Sequence, residues 1–316
     1  MFCISLESQD PFFNLALEEI LLKNSTRDFL ILGINDPCVV IGKHQVPHRE
    51  ADTRFIAESG MPVIRRISGG GAVFHDTGNL NFSFIVQSEE GLQVDFRKYT
   101  LPVINFLATL GLDVKLEGKS DLRLDGFKIS GNAEHVHGKR VLHHGTLLFE
   151  SSLYKLRNSL RNDYTGYSSR AVASNPTHVM NLKEKVNSMG SVRQLRDDFL
   201  EWSLKNLPGA ELCTPGAEET ILAESLAVSK YRTWEWNYAY GPEYHFRNSF
   251  YLNSVYLSCS LFVKDGIIWE CKIVGNDGMA SICKNLIGIR HMPENILEVL
   301  KNNGVPINDE EVFSFF

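Results

Sequence analysis

The chain has 316 residues, enough for one large domain with a smaller one or for two of middle size. Hydrophobic residues make up 43% and charged residues 22%, as in an ordinary soluble fold, and no apolar run approaches the length of a membrane span. A net charge of -6 argues against general attraction to nucleic acid, and the N-terminus lacks the basic start and long apolar core of a secretory signal. The six cysteines, Cys3, Cys38, Cys213, Cys259, Cys271 and Cys283, form no CxxC pair. They read as free thiols in a reducing cytosol, not as a zinc site.

From the N-terminus, FCISL reads as a strand. Asp10-Pro11 offers an N-cap and a proline at the first helical position, and PFFNLALEEILLK sets Phe13, Leu17, Ile20 and Leu21 on one apolar face. FLILGI and CVVIG are short buried strands parted by the turn NDP. DTRFIAESG is a capped helix ended by Gly60, and PVIRR is a strand that delivers a glycine loop. NLNFSFIV alternates, with Leu80, Phe82, Phe84 and Val86 on one face of a half-buried strand. YTLPVINFLATLG is a helix stopped by Gly111. DVKLE follows, then DLRLDGFKISGNAEHV, whose Asp125-Gly126 suits a hairpin turn, and the strand KRVLHHGTLLFE. Residues 151 to about 233 read as helices and loops. Past about residue 245 the texture changes: SFYLNSVYLSCSLFVKDGIIWECKIVG reads as strands around a Lys-Asp-Gly turn, and PENILEVLKNNG as a helix stopped by glycine. That segment is expected to be a separate small α/β module. Strands joined by both hairpins and helices point to a mixed sheet in the larger part.

The stretch RRISGGGAVFHDTGN at 65–79 places three consecutive glycines after two arginines. Glycine loses most conformational freedom on ordering, so such a run asks for a reason. Bare glycines let backbone N–H groups converge on an anion, and Arg65 and Arg66 add charged donors suited to phosphate or carboxylate. The alternative is a tight turn between strands with both arginines exposed. The loop is neither a P-loop, which needs GK[ST], nor a GxGxxG fingerprint opening a helix, because a strand follows. DGFKISGNA at 125–133 holds Lys128 in an alternating stretch, where lysine ordinarily faces solvent. LHHGTLLF at 142–149 holds His143 and His144, which a strand points to opposite faces, one of them free to line a cavity or to pack in the core.

With FNLALEE at 13–19, SSRAVASNPTHVMNL at 168–182 and WEWNY at 234–238, these stretches resemble the lipoate–protein ligase A family, in order over most of residues 1–240. The resemblance implies an α/β (α+β) fold: a mixed-sheet catalytic domain of the biotin/lipoate ligase type at 1–243 and a small accessory domain at 244–316. It implies activation of lipoate with ATP and Mg²⁺ to lipoyl-adenylate, then transfer of the lipoyl group to a lysine of a lipoyl-carrier domain. The carriers would be 2-oxoacid dehydrogenase E2 subunits and the glycine cleavage H protein, in the cytoplasm, with no nucleic acid or membrane involved. Lys128 would be catalytic, bridging carboxylate and α-phosphate, and Arg66 would hold phosphate. The backbone of Gly71, Ala72, Val73 and Phe74 would line the nucleotide–lipoate junction, with Gly70 also binding substrate or ATP. His75 and Asp76 would shape the loop, Asn79 would help order it, His144 would meet the lipoyl tail, and Asp121 would stand near Mg²⁺. Val40, Phe74, Phe82 and Phe84 are candidates for the apolar walls, each also an ordinary core residue.

An acyl-adenylate is already a mixed anhydride, so transfer needs no enzyme nucleophile, and no cysteine lies between Cys38 and Cys213 to form an acyl-thioenzyme as some octanoyltransferases do. The rivals are a lipoyltransferase that accepts ready-made adenylate, a biotin ligase, whose GRGRxG loop is missing here, and a non-catalytic lipoate-binding protein.

Overall fold

The computed structural model describes residues 1–88, 94–186 and 189–316. In chain order, β1 (Phe2–Ser5), α1 (Pro11–Asn24), β2 (Phe29–Ile34), β3 (Cys38–Ile41), the single turn α2 (Pro47–Glu50), α3 (Thr53–Ser59), β4 (Val63–Arg65), β5 (Val73–His75) and β6 (Asn79–Gln87) come first. Then follow α4 (Phe96–Thr109), β7 (Lys115–Glu117), β8 (Asp121–Leu124), β9 (Phe127–His137), β10 (Arg140–Leu148), α5 (Leu153–Ser159), β11 (Tyr167–Ser169), α6 (Val192–Asn206), β12 (Glu211–Leu212) and α7 (Ala217–Leu226). The chain closes with β13 (Tyr244–Leu252), β14 (Val255–Lys264), β15 (Ile267–Val274), α8 (Asp277–Leu286) and α9 (Pro293–Asn302).

Local chemistry sets the boundaries. Asp10 caps α1, its carboxylate accepting from Phe12 N at 3.0 Å, with Pro11 at the first helical position. Asp52 caps α3 by accepting from Phe55 N at 2.8 Å, and Gly60 ends that helix at φ +65°. Asp125 and Gly126 both take positive φ, the type I′ pattern that joins β8 to β9, and Asp265-Gly266 repeats it between β14 and β15. Asn253-Ser254 makes a third such turn, between β13 and β14.

The main sheet has eight strands in the order β12-β1-β2-β6-β10-β9-β8-β7. β12, β1 and β2 pair in parallel and the other pairs are antiparallel, so the sheet is mixed. A three-stranded sheet, β4-β3-β5, stands against it. α4 and α6 cover one face of the main sheet over a core that includes Leu80, Phe82, Phe84, Phe106 and Phe199. α1, backed by α7, covers the other, over Ile31, Ile85, Leu17 and Leu21. β6 is therefore not half-buried as its alternation suggested: Ile85 and Ser83 on the second face are buried too. On α1 the expected stripe is broader, because Leu15, Ala16 and Leu22 join Leu17 and Leu21 inside, whereas Phe13 and Ile20 are only half-buried.

The segment expected to be helices and loops contributes two short strands. β12 extends the main sheet beside β1, and β11 becomes the edge of a four-stranded sheet β11-β13-β14-β15. That sheet packs on α8 and α9, with a core of its own that includes Phe246, Leu261, Ile268 and Leu286. The C-terminal module thus takes one strand from upstream chain. His48 of α2 also donates from Nε2 to the carbonyl of His291 at 2.8 Å. Among the described residues no helix is long and apolar enough to cross a membrane.

Candidate active site

A cavity of about 620 Å³ lies between the α1 face of the main sheet and the three-stranded sheet. Its apolar end is built by Leu6, Leu15, Ile31, Gly33 and Val40. Its polar end holds Lys128, Asp121, Arg123 and Glu117, with Gly70, Gly71, Ala72 and Val73 between the two. His75 and His144 also line it. The structure therefore gathers Arg66, Gly70, Gly71, Ala72, Val73, His75, Asp121, Lys128 and His144 around one space, from three separate stretches of chain.

The glycine loop is held from behind. The Arg66 side chain is 5% exposed and donates from Nη2 to the carbonyls of Gly69 and Gly71 (2.8 Å to the latter), from Nη1 to Val40 O at 3.2 Å and from Nε to Ser68 Oγ at 2.9 Å. Burial pushes this guanidinium down to about 10, so it stays charged at neutral pH. With these carbonyls held, the N–H groups of Gly69, Gly70 and Gly71 make no hydrogen bond among the described residues, which is the arrangement an anion needs. Gly70 stands at φ +87°, and a Cβ on Gly71 would meet Ser174 Oγ at 3.1 Å and Cα at 3.3 Å. The first of these positions demands glycine by backbone conformation and the second by close approach.

Arg65 differs from the sequence expectation. It is fully buried, and its guanidinium donates to the carbonyls of Gly42, Lys43, Gln45, Trp236 and Asn237. It does not line the cavity; it clamps the 42–45 turn onto the WEWNY stretch, from which Trp236 Nε1 returns a bond to Arg65 O at 2.7 Å. Each of its three nitrogens donates to backbone, and its full burial away from the cavity keeps it from a ligand there.

Lys128 Nζ lies 2.8 Å from Asp121 Oδ1, and Arg123 Nη2 lies 3.2 Å from Asp121 Oδ2. The three charges form a triad at the polar end, each partly open to the cavity. Among the described residues no group of three or more His, Cys, Asp or Glu side chains is placed to hold a metal ion. Asp121 and Glu117 suit Mg²⁺ only in the way that cation is bound beside phosphates, through one or two carboxylates and the ligand's own oxygens.

His143 and His144 do point apart. His144 faces the cavity, with Nδ1 2.9 Å from Glu18 Oε2 and Nε2 2.6 Å from Ser68 Oγ. The Glu18 carboxylate accepts from the His144 ring, whose other nitrogen is bonded to Ser68 Oγ, and Arg66 donates to Ser68, so Glu18, His144, Ser68 and Arg66 form one hydrogen-bonded chain. Ser83 closes it by donating to the other Glu18 oxygen. His143 is fully buried on the opposite face against Phe82 and Tyr99, bonded to Glu134 at 2.9 Å. His75 accepts at Nδ1 from the Asn35 amide at 3.0 Å, and burial, with Arg66 and His144 nearby, pushes it down to about 3. Asp76 shapes the turn as expected, its carboxylate accepting from Gly78 N at 3.0 Å and Ser152 N at 2.8 Å.

Phe74 and Asn79 do not reach the cavity. Strand alternation turns Phe74 into the core of Val39, Ile41, Ile56 and Val63, while Val73 beside it lines the site. Asn79 is fully buried and donates to Asn81 Oδ1 at 2.8 Å, and Asn81 is the lining residue. Phe82 and Phe84 belong to the α4/α6 core for the same reason; their neighbours Asn81 and Ser83 face the ligand space. Leu6, Leu15, Glu18, Ile31 and Gly33 were given no role from sequence. Gly33 carried a signal, since a glycine inside a buried strand often marks close approach of a ligand. The 168–182 stretch crosses from the glycine loop, where Ala72 N donates to Ser174 Oγ at 2.8 Å, to Lys128, whose N donates to His178 O at 3.0 Å. None of the six cysteines lines the cavity.

Comparison with known proteins agrees with this geometry. Residues 10–202 match the family described as the lipoyl protein ligase A/B catalytic domain. Lipoate-protein ligase LplJ of Bacillus subtilis is 34% identical over 303 residues, covering 92% of this chain and 91% of its own. A crystal structure of lipoate-protein ligase A bound with ATP superposes with a TM-score of 0.64 at 27% identity, over 74% of this chain and 97% of that one. The bipartite lipoate protein ligase of Thermoplasma acidophilum, studied with its E2 lipoyl domain, gives 0.64 at 26% identity, over 74% and 94%. The chain belongs to the lipoyl protein ligase A/B catalytic-domain family.

Proposed function

We propose that this protein is an ATP-dependent lipoate–protein ligase, which makes lipoyl-adenylate and passes the lipoyl group to a lysine of a carrier domain. The observation that carries this reading is one cavity that is apolar at one end, holds Lys128 and Arg123 at the other, and has between them glycine-loop N–H groups that make no hydrogen bond among the described residues. An acyl chain with a terminal ring suits Leu6, Leu15, Ile31, Gly33 and Val40. Its carboxylate then lies toward the glycine loop and Lys128.

Activation brings a carboxylate and the α-phosphate together, and their repulsion must be offset where they meet. Lys128 is the residue for that role: its Nζ leaves Asp121 Oδ1 for two anions, as a fixed charge and not as a nucleophile. Gly70 and Gly71 supply backbone donors, and Arg66 holds the carbonyls of Gly69 and Gly71 turned away. Val73 lines the junction, and His75, held neutral by burial, borders it together with His144. Asp121 would hold Mg²⁺ together with the nucleotide's oxygens, and the cation would neutralise phosphate charge there. In the second step the acceptor amine attacks the acyl carbon of the anhydride, the bond to phosphate breaks and AMP leaves, while the cavity walls keep water away.

The carriers in this reading are E2 lipoyl domains and the glycine cleavage H protein, and the compartment is the cytoplasm. Residues 1–243 form the catalytic unit and 244–316 the accessory unit. The test is incubation with ATP, lipoate, Mg²⁺ and an isolated lipoyl domain, following pyrophosphate and acceptor mass. Both signals are expected. Acceptor modification from supplied lipoyl-adenylate without any pyrophosphate release would make the protein a transferase instead.

A further inference from the structure

Glu50, at the end of α2, is 1% exposed and does not line the cavity. One of its oxygens, Oε2, accepts from both the backbone N (3.1 Å) and the hydroxyl of Ser174. Having donated its proton there, Ser174 Oγ accepts from Ala72 N at 2.8 Å and from Gln45 Nε2 at 3.1 Å. Gln45 Oε1 in turn accepts from Gly42 N at 2.8 Å. A buried carboxylate is thus joined through a single hydroxyl to the backbone of the glycine loop. Its neighbours fasten the same segment: Arg49 Nη1 donates to Ala171 O at 3.2 Å, and Tyr164 OH to Ser174 O at 3.0 Å. Val172, Ala173, Ser174 and Asn175 face Gly70–Val73 across the cavity wall.

Keeping a carboxylate out of water is costly, and burial does raise the Glu50 pKa, against the pull of Ser174 and Arg49. An acceptor-only group is what two donors of one residue converging on one point require. We propose that Glu50 is a positioning residue for the activation step: through Ser174 it fixes the separation of the glycine loop from the 172–175 segment. The inference rests on the reading that the glycine loop and Lys128 hold the reacting anions. It adds that a residue with no ligand contact of its own sets where the loop's donors stand.

The experiment compares Glu50→Ala, Glu50→Gln, Ser174→Ala and Lys128→Ala in the full chain, by ATP-dependent pyrophosphate release, lipoate binding by calorimetry and melting temperature. A misplacement on the order of 1 Å costs about a hundredfold in rate, so kcat/KM for ATP should fall by about that factor in Glu50→Ala. Glu50→Gln keeps an acceptor oxygen and should stay within about fivefold of the wild type, since only the charge assistance is lost. Lipoate affinity should hold in both, because its apolar end is built by Leu6 just past β1 and by α1, β2 and β3. A role limited to stability would lower melting temperature and lipoate affinity together and would not be rescued by glutamine. Wild-type turnover in Glu50→Ala, or equal loss in Glu50→Gln, overturns the proposal. Should Glu50→Ala not fold, Ser174→Ala decides: reduced turnover with lipoate affinity held supports it, and wild-type turnover overturns it. Lys128→Ala is the reference. If it too turns over normally, the reading of the site is at fault and not only the role of Glu50.

Discussion

Gly42 shows how a residue outside the cavity dictates the loop within it. It stands just past β3, and a Cβ built there would lie 2.1 Å from the carbonyl oxygen of Gly70, 3.1 Å from its carbon and 3.2 Å from that of Gly69. The obstructing atoms are backbone, so no side-chain rotation relieves the clash. Restoring contact distance in Gly42→Ala requires the loop to retreat by about 1 Å, a displacement of the size that costs about a hundredfold in rate when it falls on positioning groups. Overpacking of this kind costs roughly 1–3 kcal/mol, a fall of several degrees in melting temperature for a chain of this size. The variant should therefore remain folded while ATP-dependent pyrophosphate release drops by about two orders of magnitude. Scanning fluorimetry and a coupled pyrophosphate assay measure the two quantities. A folded Gly42→Ala protein with wild-type turnover would refute the idea that the loop's exact seat matters.

Gly33 has no positive φ and a Cβ would meet only Leu6 and Asn14 at 3.4 Å or more, so space for the ligand is the reason for glycine there. Gly33→Leu should fold, lose lipoate binding by calorimetry and retain activation of a short-chain acid; unchanged lipoate affinity would place the acyl chain elsewhere. Stability should fall on acidification, because His75 (down to about 3) and His291 (down to about 4) are held neutral by burial while the unfolded chain protonates near 6.5. A folded-state pKa below the unfolded value means stability is complete above about 6.5 and lost as pH falls toward the folded value, at up to about 1.4 kcal/mol per pH unit for each histidine. Denaturant titrations between pH 6.5 and 4 should show this slope, and His75→Gln should flatten it by about that amount; an unchanged slope would mean that His75 is not held neutral.

Much of the fold was readable because it rests on local signals. Caps at Asp10 and Asp52 and the paired positive-φ residues at 125–126 and 265–266 lie where turn and cap chemistry puts them. What escaped was decided by distant packing. β6 alternates clearly, yet α1 covers its polar face, so Asn81 and Ser83, not Phe82 and Phe84, look into the cavity. β11 is three residues long and is a strand only because β13 pairs with it. The charge pattern at 65–66 named two arginines, but strand alternation at the end of β4 sends Arg65 to backbone carbonyls at 42–45 and 236–237, positions no local pattern links to it. Glu18 lay within a stretch that carried the resemblance, and only the fold brings it to His144.

The central claim is that Lys128 offsets the two anions of the activation step, and the most direct measurement separates that step from transfer. Lys128→Ala and the wild type are compared in ATP- and lipoate-dependent pyrophosphate release, and in acceptor modification from supplied lipoyl-adenylate. Losing such a contact costs on the order of 3 kcal/mol or more, a hundredfold or greater, so pyrophosphate release should be lost while transfer from the adenylate survives in part. Near-wild-type pyrophosphate release by folded Lys128→Ala would contradict the account.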